Sequence, residues 1–134
     1  MRFVPRSREK PIDRLLADEN TSHRLVAACR RLGVDCPIVH IAKWMDGAWL
    51  GLDDAALLMS CADSGLVLVA FDRATLPWHA GQVLRSGENY GGLILFRRAV
   101  RSTDYGYQAR LLTEFWVRDG RSWDWLNRTI YLPR

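Results

Sequence analysis

An unbroken apolar run, L-V-L-V-A-F, occupies residues 66–71 and ends at Asp72. A strand that is apolar on both faces is typical of the centre of a parallel sheet, where helices cover it on either side. The segment before it, residues 55–62 (A-A-L-L-M-S-C-A), is almost wholly apolar, and Gly65 supplies a left-handed helix end. The stretch therefore predicts a buried helix followed by a central parallel strand.

The remainder of the chain continues this alternation of strands and helices. Further strands are predicted at residues 14–17 (R-L-L-A), 37–42 (P-I-V-H-I-A), 92–96 (G-L-I-L-F) and in the tail beyond Gly120. Helices are predicted after a cap at Thr21 or Ser22, after a cap at Asp53 or Asp54, from Ser102 or Asp104 to Val117, and as one or two turns near residues 78–84. This order predicts a three-layer α/β/α domain with a mainly parallel sheet of four to five strands.

The length of 134 residues fits one domain, with a basic arm at residues 1–12 and a Trp-rich strand or tail at residues 120–134. Trp123 and Trp125, two positions apart, would share one face of that strand and could form an oligomer contact. No apolar run approaches the roughly 20 residues that span a bilayer, so we expect no membrane segment and a cytoplasmic location.

Three cysteines, Cys29, Cys36 and Cys61, lack metal-ligand spacing, and their odd number argues against a disulfide framework. We expect them to be reduced core residues.

The charge balance is basic, with 19 Lys and Arg against 15 Asp and Glu and a net charge of +4. All the basic residues except Lys10 and Lys43 are arginine. The planar guanidinium group binds phosphate through two parallel hydrogen bonds. The charge is therefore compatible with a nucleic-acid partner but does not require one, because arginine also serves simply to solvate a protein surface.

Two acidic residues, Asp18 and Asp72, each directly follow a predicted buried strand. Ligands of parallel α/β sheets bind outside the carboxyl ends of the strands, so these carboxylates are predicted to lie at the binding edge. Crowded carboxylates repel one another unless a cation compensates. Oxygen ligands favour Mg²⁺ or Mn²⁺ over zinc, and such a cation suits phosphodiester hydrolysis. The alternative is that both are ordinary loop acids.

The block at residues 54–72, D-A-A-L-L-M-S-C-A-D-S-G-L-V-L-V-A-F-D, resembles the C-terminal half of a PIN domain, the fold of the VapC toxins. The opening R-L-L-A-D-E-N at residues 14–20 resembles the first strand of a short PIN-like branch that begins with Asp-Glu-Asn. The resemblance covers residues 14–95. It implies a compact PIN-like fold and metal-dependent RNA cleavage, in the manner of the toxin of a toxin–antitoxin pair.

The same resemblance implies the roles of particular residues. Asp18, Asp54 and Asp72 would be the catalytic ligands of Mg²⁺ or Mn²⁺. Five residues would support them: Glu19, Asn20, Thr21, Asp53 and Ser60. Arg73 and Trp44 are candidates for contacts with the RNA substrate, and Asp53 has a simpler role as a helix cap. An antitoxin protein and a second copy of the chain remain open as partners.

The chain also departs from the full PIN pattern. It has no Glu on a helix between the second strand and Asp54, where only a short loop with Asp46 occurs, and Glu19 or Asp53 could substitute. These departures motivate an alternative function, a PIN-like module that binds protein or nucleic acid without cutting. A phospho-acceptor receiver domain is a third hypothesis, but it needs a late lysine, and Lys10 and Lys43 both lie early.

Overall fold

The computed structural model describes residues 14–33, 35–71 and 74–134, so the predicted basic arm at residues 1–12 lies outside these ranges. The strands are β1 (Leu15–Ala17), β2 (Ile38–His40), β3 (Val67–Phe71), β4 (Leu93–Phe96) and β5 (Thr129–Leu132). The helices are α1 (His23–Arg31), α2 (Asp54–Ser64), α3 (Thr75–Arg85) and α4 (Tyr105–Arg118). Each helix connects two successive strands, as the sequence predicts.

The five strands form one sheet in the order β2-β1-β3-β4-β5, and every neighbouring pair is parallel. Helices α1 and α4 pack together on one face of the sheet, and α2 and α3 pack together on the other. The predicted three-layer α/β/α class is therefore confirmed. This arrangement is a doubly wound sheet, in which the connections run in both directions from the middle.

Strand β3 shows why the sheet is buried on both faces. Val67 and Val69 pack into the core on the α1 and α4 side, and Leu68 and Ala70 pack into the core on the α2 and α3 side. All four side chains are at most 1% exposed. Successive residues of a strand point to opposite faces, so a strand between two helical layers must be apolar at every position.

Local hydrogen bonds set the starts of the helices that lead to the carboxyl edge of the sheet. The Ser22 hydroxyl accepts from the Arg24 amide (3.0 Å) at the start of α1, and the Asp53 carboxylate accepts from the Ala56 amide (2.8 Å) at the start of α2. Each bond satisfies a backbone donor that the helix itself leaves unpaired. Asp53 is therefore a helix cap, which the sequence offered as its simpler role.

Helix α3 is longer than the one or two turns predicted near residues 78–84. It extends over Thr75–Arg85 because Pro77 lies in the first turn, where no intrahelical N–H bond is required. Gly81 lies in the middle of the helix, at a penalty of about 1 kcal/mol relative to alanine. Neither residue breaks the helix, so the predicted interruption of the helix at Pro77 and Gly81 is wrong.

The C-terminal tail also differs from its prediction. Strand β5 begins only at Thr129, and Trp123 and Trp125 lie in the irregular segment that precedes it. Trp125 is 4% exposed, and its indole N–H donates to the Gly120 carbonyl (2.7 Å). The prediction that the two tryptophans lie in a strand is wrong. Trp125 packs inside the molecule.

The cysteines lie in or against the core, as predicted. Cys29 and Cys61 are fully buried, and Cys36 is partly buried. Burial raises the pKa of Cys61 to about 12. A side-chain hydrogen bond between the other two thiols, reinforced by burial, raises the pKa of Cys36, and the same bond lowers the pKa of Cys29.

No helix in the described ranges combines the length and the apolarity that crossing a bilayer requires.

Candidate active site

The sheet has a topological switch point between β1 and β3. The chain leaves β1 through α1 toward β2, and it leaves β3 through α3 toward β4, on the opposite face and in the opposite direction. Diverging connections leave a crevice outside the carboxyl ends of these neighbouring strands, which is where ligands of doubly wound proteins bind. Asp18 follows β1 directly and therefore lies at this crevice.

Asp18 is held in place by several contacts. Its side chain is buried (4% exposed), its amide donates to the Val69 carbonyl of β3 (3.2 Å), and its carboxylate Oδ1 accepts from the Thr21 hydroxyl (2.7 Å). The Thr21 hydroxyl lies farther, 3.4 Å, from the Val69 carbonyl, and Thr21 is itself buried. A hydroxyl has one proton to donate, so the short bond to Asp18 is its main interaction.

Asp54 lies in the same pocket as Asp18. The pocket has a volume of about 180 Å³, and it is lined by Asp18, Glu19, Asn20, Leu52, Asp54 and Leu57. Asp54 is the first residue of α2, and one of its carboxylate oxygens is 3.9 Å from Nε2 of His79 on α3. The structure thus brings together four of the predicted site residues, Asp18, Glu19, Asn20 and Asp54. We call this hollow the acidic pocket.

Glu19 connects the acidic pocket to the loop before α2. Its carboxylate Oε1 accepts from the Gly51 amide (2.8 Å). Gly51 has a φ of 83°, a backbone conformation that side chains other than glycine rarely adopt. The hydrogen bond from Gly51 to Glu19 therefore holds the loop that contains Leu52, which lines the pocket.

The donor atoms of the acidic pocket suit a hard cation. Three acidic residues, Asp18, Glu19 and Asp54, line it together with Asn20, and carboxylate and amide oxygens are the ligands that Mg²⁺, Mn²⁺ and Ca²⁺ prefer. Within residues 14–33, 35–71 and 74–134, no group of three or more His, Cys, Asp or Glu side chains is close enough to hold a metal ion. Asp72, the predicted third ligand, and Arg73 lie outside the described residues.

His40, the last residue of β2, was not among the predicted site residues. It is 5% exposed, its Nδ1 accepts from the Ala42 amide (3.1 Å), and its Nε2 donates to the Thr21 carbonyl (2.7 Å). The ring is therefore neutral, with its proton on Nε2. Burial lowers the pKa of His40, against the smaller opposing effects of the Thr21 hydrogen bond and of Asp18 and Glu19. His40 supports the same residue, Thr21, that fixes Asp18.

A signal for His40 was present in the sequence. It is the last residue of a buried strand, whereas Asp18 directly follows one, and the carboxyl ends of parallel strands lie at one edge of the sheet. His23, at the first turn of α1, stacks on it, with ring centroids 3.7 Å apart and planes 22° from parallel. Spacing along the chain did not predict this pair, because the two histidines come from different elements.

A larger cleft adjoins the acidic pocket and shares Glu19 and Asn20 with it. Its volume is about 720 Å³, and its polar lining includes Ser22, Arg24, Ser102 and Thr103. These residues come from the starts of α1 and α4, on the same face of the sheet. A space of this size accommodates a nucleotide, whereas the acidic pocket does not.

Two predicted residues lie away from the acidic pocket. Ser60 lines a separate cleft with Asp63, Glu88 and Asn89. Trp44 is partly buried against the core, with its ring centroid 5.8 Å from that of Trp49. Its indole nitrogen is buried without a hydrogen-bond partner in the described part of the chain, so Trp44 is not an exposed surface on which a base could stack.

Comparisons with protein-family models, with curated proteins and with solved structures found no match to this chain.

Proposed function

We propose that this chain is a PIN-like, metal-dependent endoribonuclease and that the acidic pocket is its active site. One observation carries the proposal: buried Asp18 and the first residue of α2, Asp54, line a single pocket at the switch point of a doubly wound parallel sheet. Burial of a carboxylate is unfavourable unless the group is hydrogen-bonded or pairs with a cation. Asp18 has such a hydrogen bond from Thr21, and its position at the ligand-binding edge of the sheet supports a role in holding a cation there.

The proposed roles follow from the pocket lining. Asp18 and Asp54 would hold Mg²⁺ or Mn²⁺. The resemblance alone adds Asp72 as a third ligand. A bound cation of this kind polarises a phosphate and lowers the pKa of an attacking water. Thr21 orients the Asp18 carboxylate through its 2.7 Å hydrogen bond, and Asn20 supplies a further polar group in the pocket.

The sizes of the hollows agree with these roles. A water molecule occupies about 30 Å³ in the liquid. The acidic pocket, at about 180 Å³, has space for a cation with its water ligands and one phosphate group. The neighbouring nucleotide would lie in the adjoining cleft of about 720 Å³. RNA is the proposed substrate, with a cytoplasmic location and an antitoxin protein as partner, by the resemblance to the VapC toxins.

Mutation of each carboxylate tests the proposal. Asp18→Asn and Asp54→Asn retain side-chain size but remove the negative charge that a cation needs. Each should reduce Mn²⁺-dependent cleavage of a labelled single-stranded RNA by about 100-fold or more, and calorimetry should show weaker Mn²⁺ binding. Asp63→Asn is the matched control, because Asp63 lies exposed on the same helix, outside the acidic pocket. Undiminished cleavage by both pocket variants would refute the proposal.

The alternative is a module with the same fold that binds RNA or protein without cutting. It is favoured by the small number of carboxylates in the acidic pocket, since Asp18, Glu19 and Asp54 are its acidic lining among the described residues and Glu19 is bonded to Gly51. Calorimetry separates the two functions. Absence of Mn²⁺ binding, together with intact RNA after long incubation, would favour the binding module.

A further inference from the structure

A groove beside α1 is lined by basic residues and by no acidic residue among those described. It lies between α1 and the end of β2, has a volume of about 350 Å³, and is lined by Arg30, Arg31 and Lys43 as well as by His23 and His40. No Asp or Glu belongs to its lining in the described part of the chain. We call it the basic groove.

The three cations of the basic groove are exposed and lack a carboxylate partner among the described residues. Elsewhere the fold does neutralise an arginine, since Arg134 pairs with Asp119 at 3.2 Å. Arg30 and Arg31 lie in the last turn of α1, where positive charge is favoured by the helix dipole. The dipole does not account for Lys43, which comes from the segment after β2 and lines the same groove.

The basic groove and the acidic pocket both share lining residues with the cleft of about 720 Å³. The basic groove shares His23 and His40 with the 720 Å³ cleft, and that cleft shares Glu19 and Asn20 with the acidic pocket. The three hollows are therefore linked in series by shared lining residues.

The ring of His23 lies where the groove and the cleft meet. The side chain is exposed, and it stacks at 3.7 Å on the ring of buried His40. His40 cannot turn freely because both of its nitrogens are hydrogen-bonded to backbone groups. His23 is therefore an aromatic surface with a rigid support, of the kind on which unpaired bases stack.

We propose that the basic groove and His23 form a binding track for single-stranded RNA that directs the strand into the acidic pocket. Arg30, Arg31 and Lys43 contact successive phosphates, and His23 stacks against one base. The strand is single because a base in a duplex has no free face for His23. The choice of RNA as the polymer rests on the proposed function, whereas the groove itself does not depend on cleavage.

Binding of a labelled oligouridine in EDTA, followed by fluorescence anisotropy, tests the track without any contribution from metal-dependent cutting. The variant that combines Arg30→Gln, Arg31→Gln and Lys43→Gln should bind about tenfold more weakly, or worse, at low salt. The plot of log affinity against log salt concentration should become shallower by about 2, since each lost phosphate contact on a single strand removes about 0.7 from the slope.

The matched control removes the same charge from exposed arginines outside the groove, in a variant that combines Arg98→Gln, Arg118→Gln and Arg121→Gln. Its affinity should change by at most about threefold. Equal losses in the two triple variants would show that only net charge matters and would overturn the track. Equal affinity for an oligouridine and for a duplex of the same length would overturn the single-strand assignment.

The stacking surface is tested separately by His23→Ala and His23→Phe. The alanine variant should bind the oligouridine about tenfold more weakly, and the phenylalanine variant should bind as the natural chain does, because a benzene ring also stacks with bases. Equal binding by the natural chain and by His23→Ala would refute the role of His23.

The track and the nuclease proposal can fail independently. Loss of cleavage in Asp18→Asn with undiminished RNA binding by the groove variant would leave the nuclease and overturn the track. Undiminished cleavage by Asp18→Asn, with weakened RNA binding by the groove variant, would overturn the nuclease proposal and leave the track.

Discussion

Asp18 shows how much of the site depends on single side chains. A buried carboxylate is stable only with hydrogen-bond donors or a counter-charge, and the Thr21 hydroxyl is one donor at 2.7 Å. Thr21 is in turn held by His40 through its carbonyl oxygen. The three residues come from the end of β1, the turn before α1 and the end of β2, so the geometry of Asp18 depends on all of these segments.

Thr21→Val should lower the free energy of unfolding by about 1–3 kcal/mol, because it leaves a buried carboxylate oxygen without that donor. Thr113→Val is the matched control. Its hydroxyl is also buried, but it donates to the Ala109 carbonyl within α4, an acceptor that the helix already serves, so the loss should be about 1 kcal/mol or less. Urea denaturation of both variants provides the comparison. A larger loss for Thr113→Val would contradict this account of Asp18.

His40 should make stability depend on pH. The fold lowers its pKa below the ordinary value of 6.5, so below about pH 7 His40 is protonated to a greater extent in the unfolded chain than in the folded one. The stabilisation from neutral His40 is complete above pH 6.5 and is lost as the pH falls toward the lowered pKa. Denaturation curves between about pH 7.5 and 5 should show a steeper decline for the natural chain than for His40→Gln. An equal decline in the free energy of unfolding for the natural chain and for His40→Gln would contradict a lowered pKa of His40.

At the scale of elements, two glycines with opposite roles show where the layers are tight. Gly81 lies within α3, and no heavy atom lies within 4 Å of the position of an added Cβ. Gly91 lies just before β4, against the end of α2. A Cβ there would overlap the Leu66 carbonyl oxygen and would lie 2.6 Å from the Cys61 carbonyl carbon. Only a glycine allows this close approach between the α2–β3 connection and the chain that enters β4.

Substitution by alanine should therefore have opposite effects at these two positions. Gly81→Ala should raise the free energy of unfolding by about 0.5–1 kcal/mol, since it removes the entropic penalty of glycine in a helix. Gly91→Ala should lower it by about 1–3 kcal/mol or more, because backbone atoms must move apart. Thermal and urea unfolding of the two variants measure both changes in the free energy of unfolding. A stabilising Gly91→Ala would show that the α2–β4 contact is looser than described.

At the scale of the whole molecule, the segment before β5 closes the core on the α1 and α4 side. Trp125 packs with Trp116 and Phe115 of α4, with ring centroids 6.3 and 6.0 Å away, and donates to the Gly120 carbonyl. Strand β5 then pairs with β4 and completes the sheet. The C-terminal residues are therefore part of the cooperative fold, although they lie far from the acidic pocket in sequence.

Trp125→Ala should lower the free energy of unfolding by about 3–5 kcal/mol, since it leaves a large cavity. That is a large part of the 5–15 kcal/mol typical of a whole domain. The substitution also removes the indole hydrogen bond to the Gly120 carbonyl, which then keeps only its bond from the Trp123 amide (3.1 Å). Trp78→Ala is the matched control, because Trp78 is 59% exposed, and its effect should stay within about 0.5 kcal/mol. Circular dichroism during urea unfolding provides the comparison. Similar effects of the two substitutions would contradict the buried position of Trp125.

Much of the fold could be predicted because the relevant signals are local. Apolar runs such as residues 66–71 and caps such as Ser22 and Asp53 identify elements without knowledge of the remainder of the chain. The errors arose where a local signal was ambiguous. Pro77 breaks a helix interior but fits a first turn, and the alternation around Trp123 and Trp125 is that of a strand although packing against α4 determines their conformation.

The candidate site was predicted only in part, for a related reason. Asp18 was found because it follows a strand, and Asp54 through the resemblance alone, whereas the contacts of His23 and His40 depend on how α1 lies against β2. By itself, the sequence determined the order of elements and the carboxylates that follow them, because backbone propensity and burial pattern act over a few residues. Only the tertiary structure decided that β3 pairs with β1, which puts Asp18 at the switch point, and that α1 lies against β2, which forms the basic groove. Strand neighbours and shared hollows are set by packing between distant segments, which no local pattern encodes.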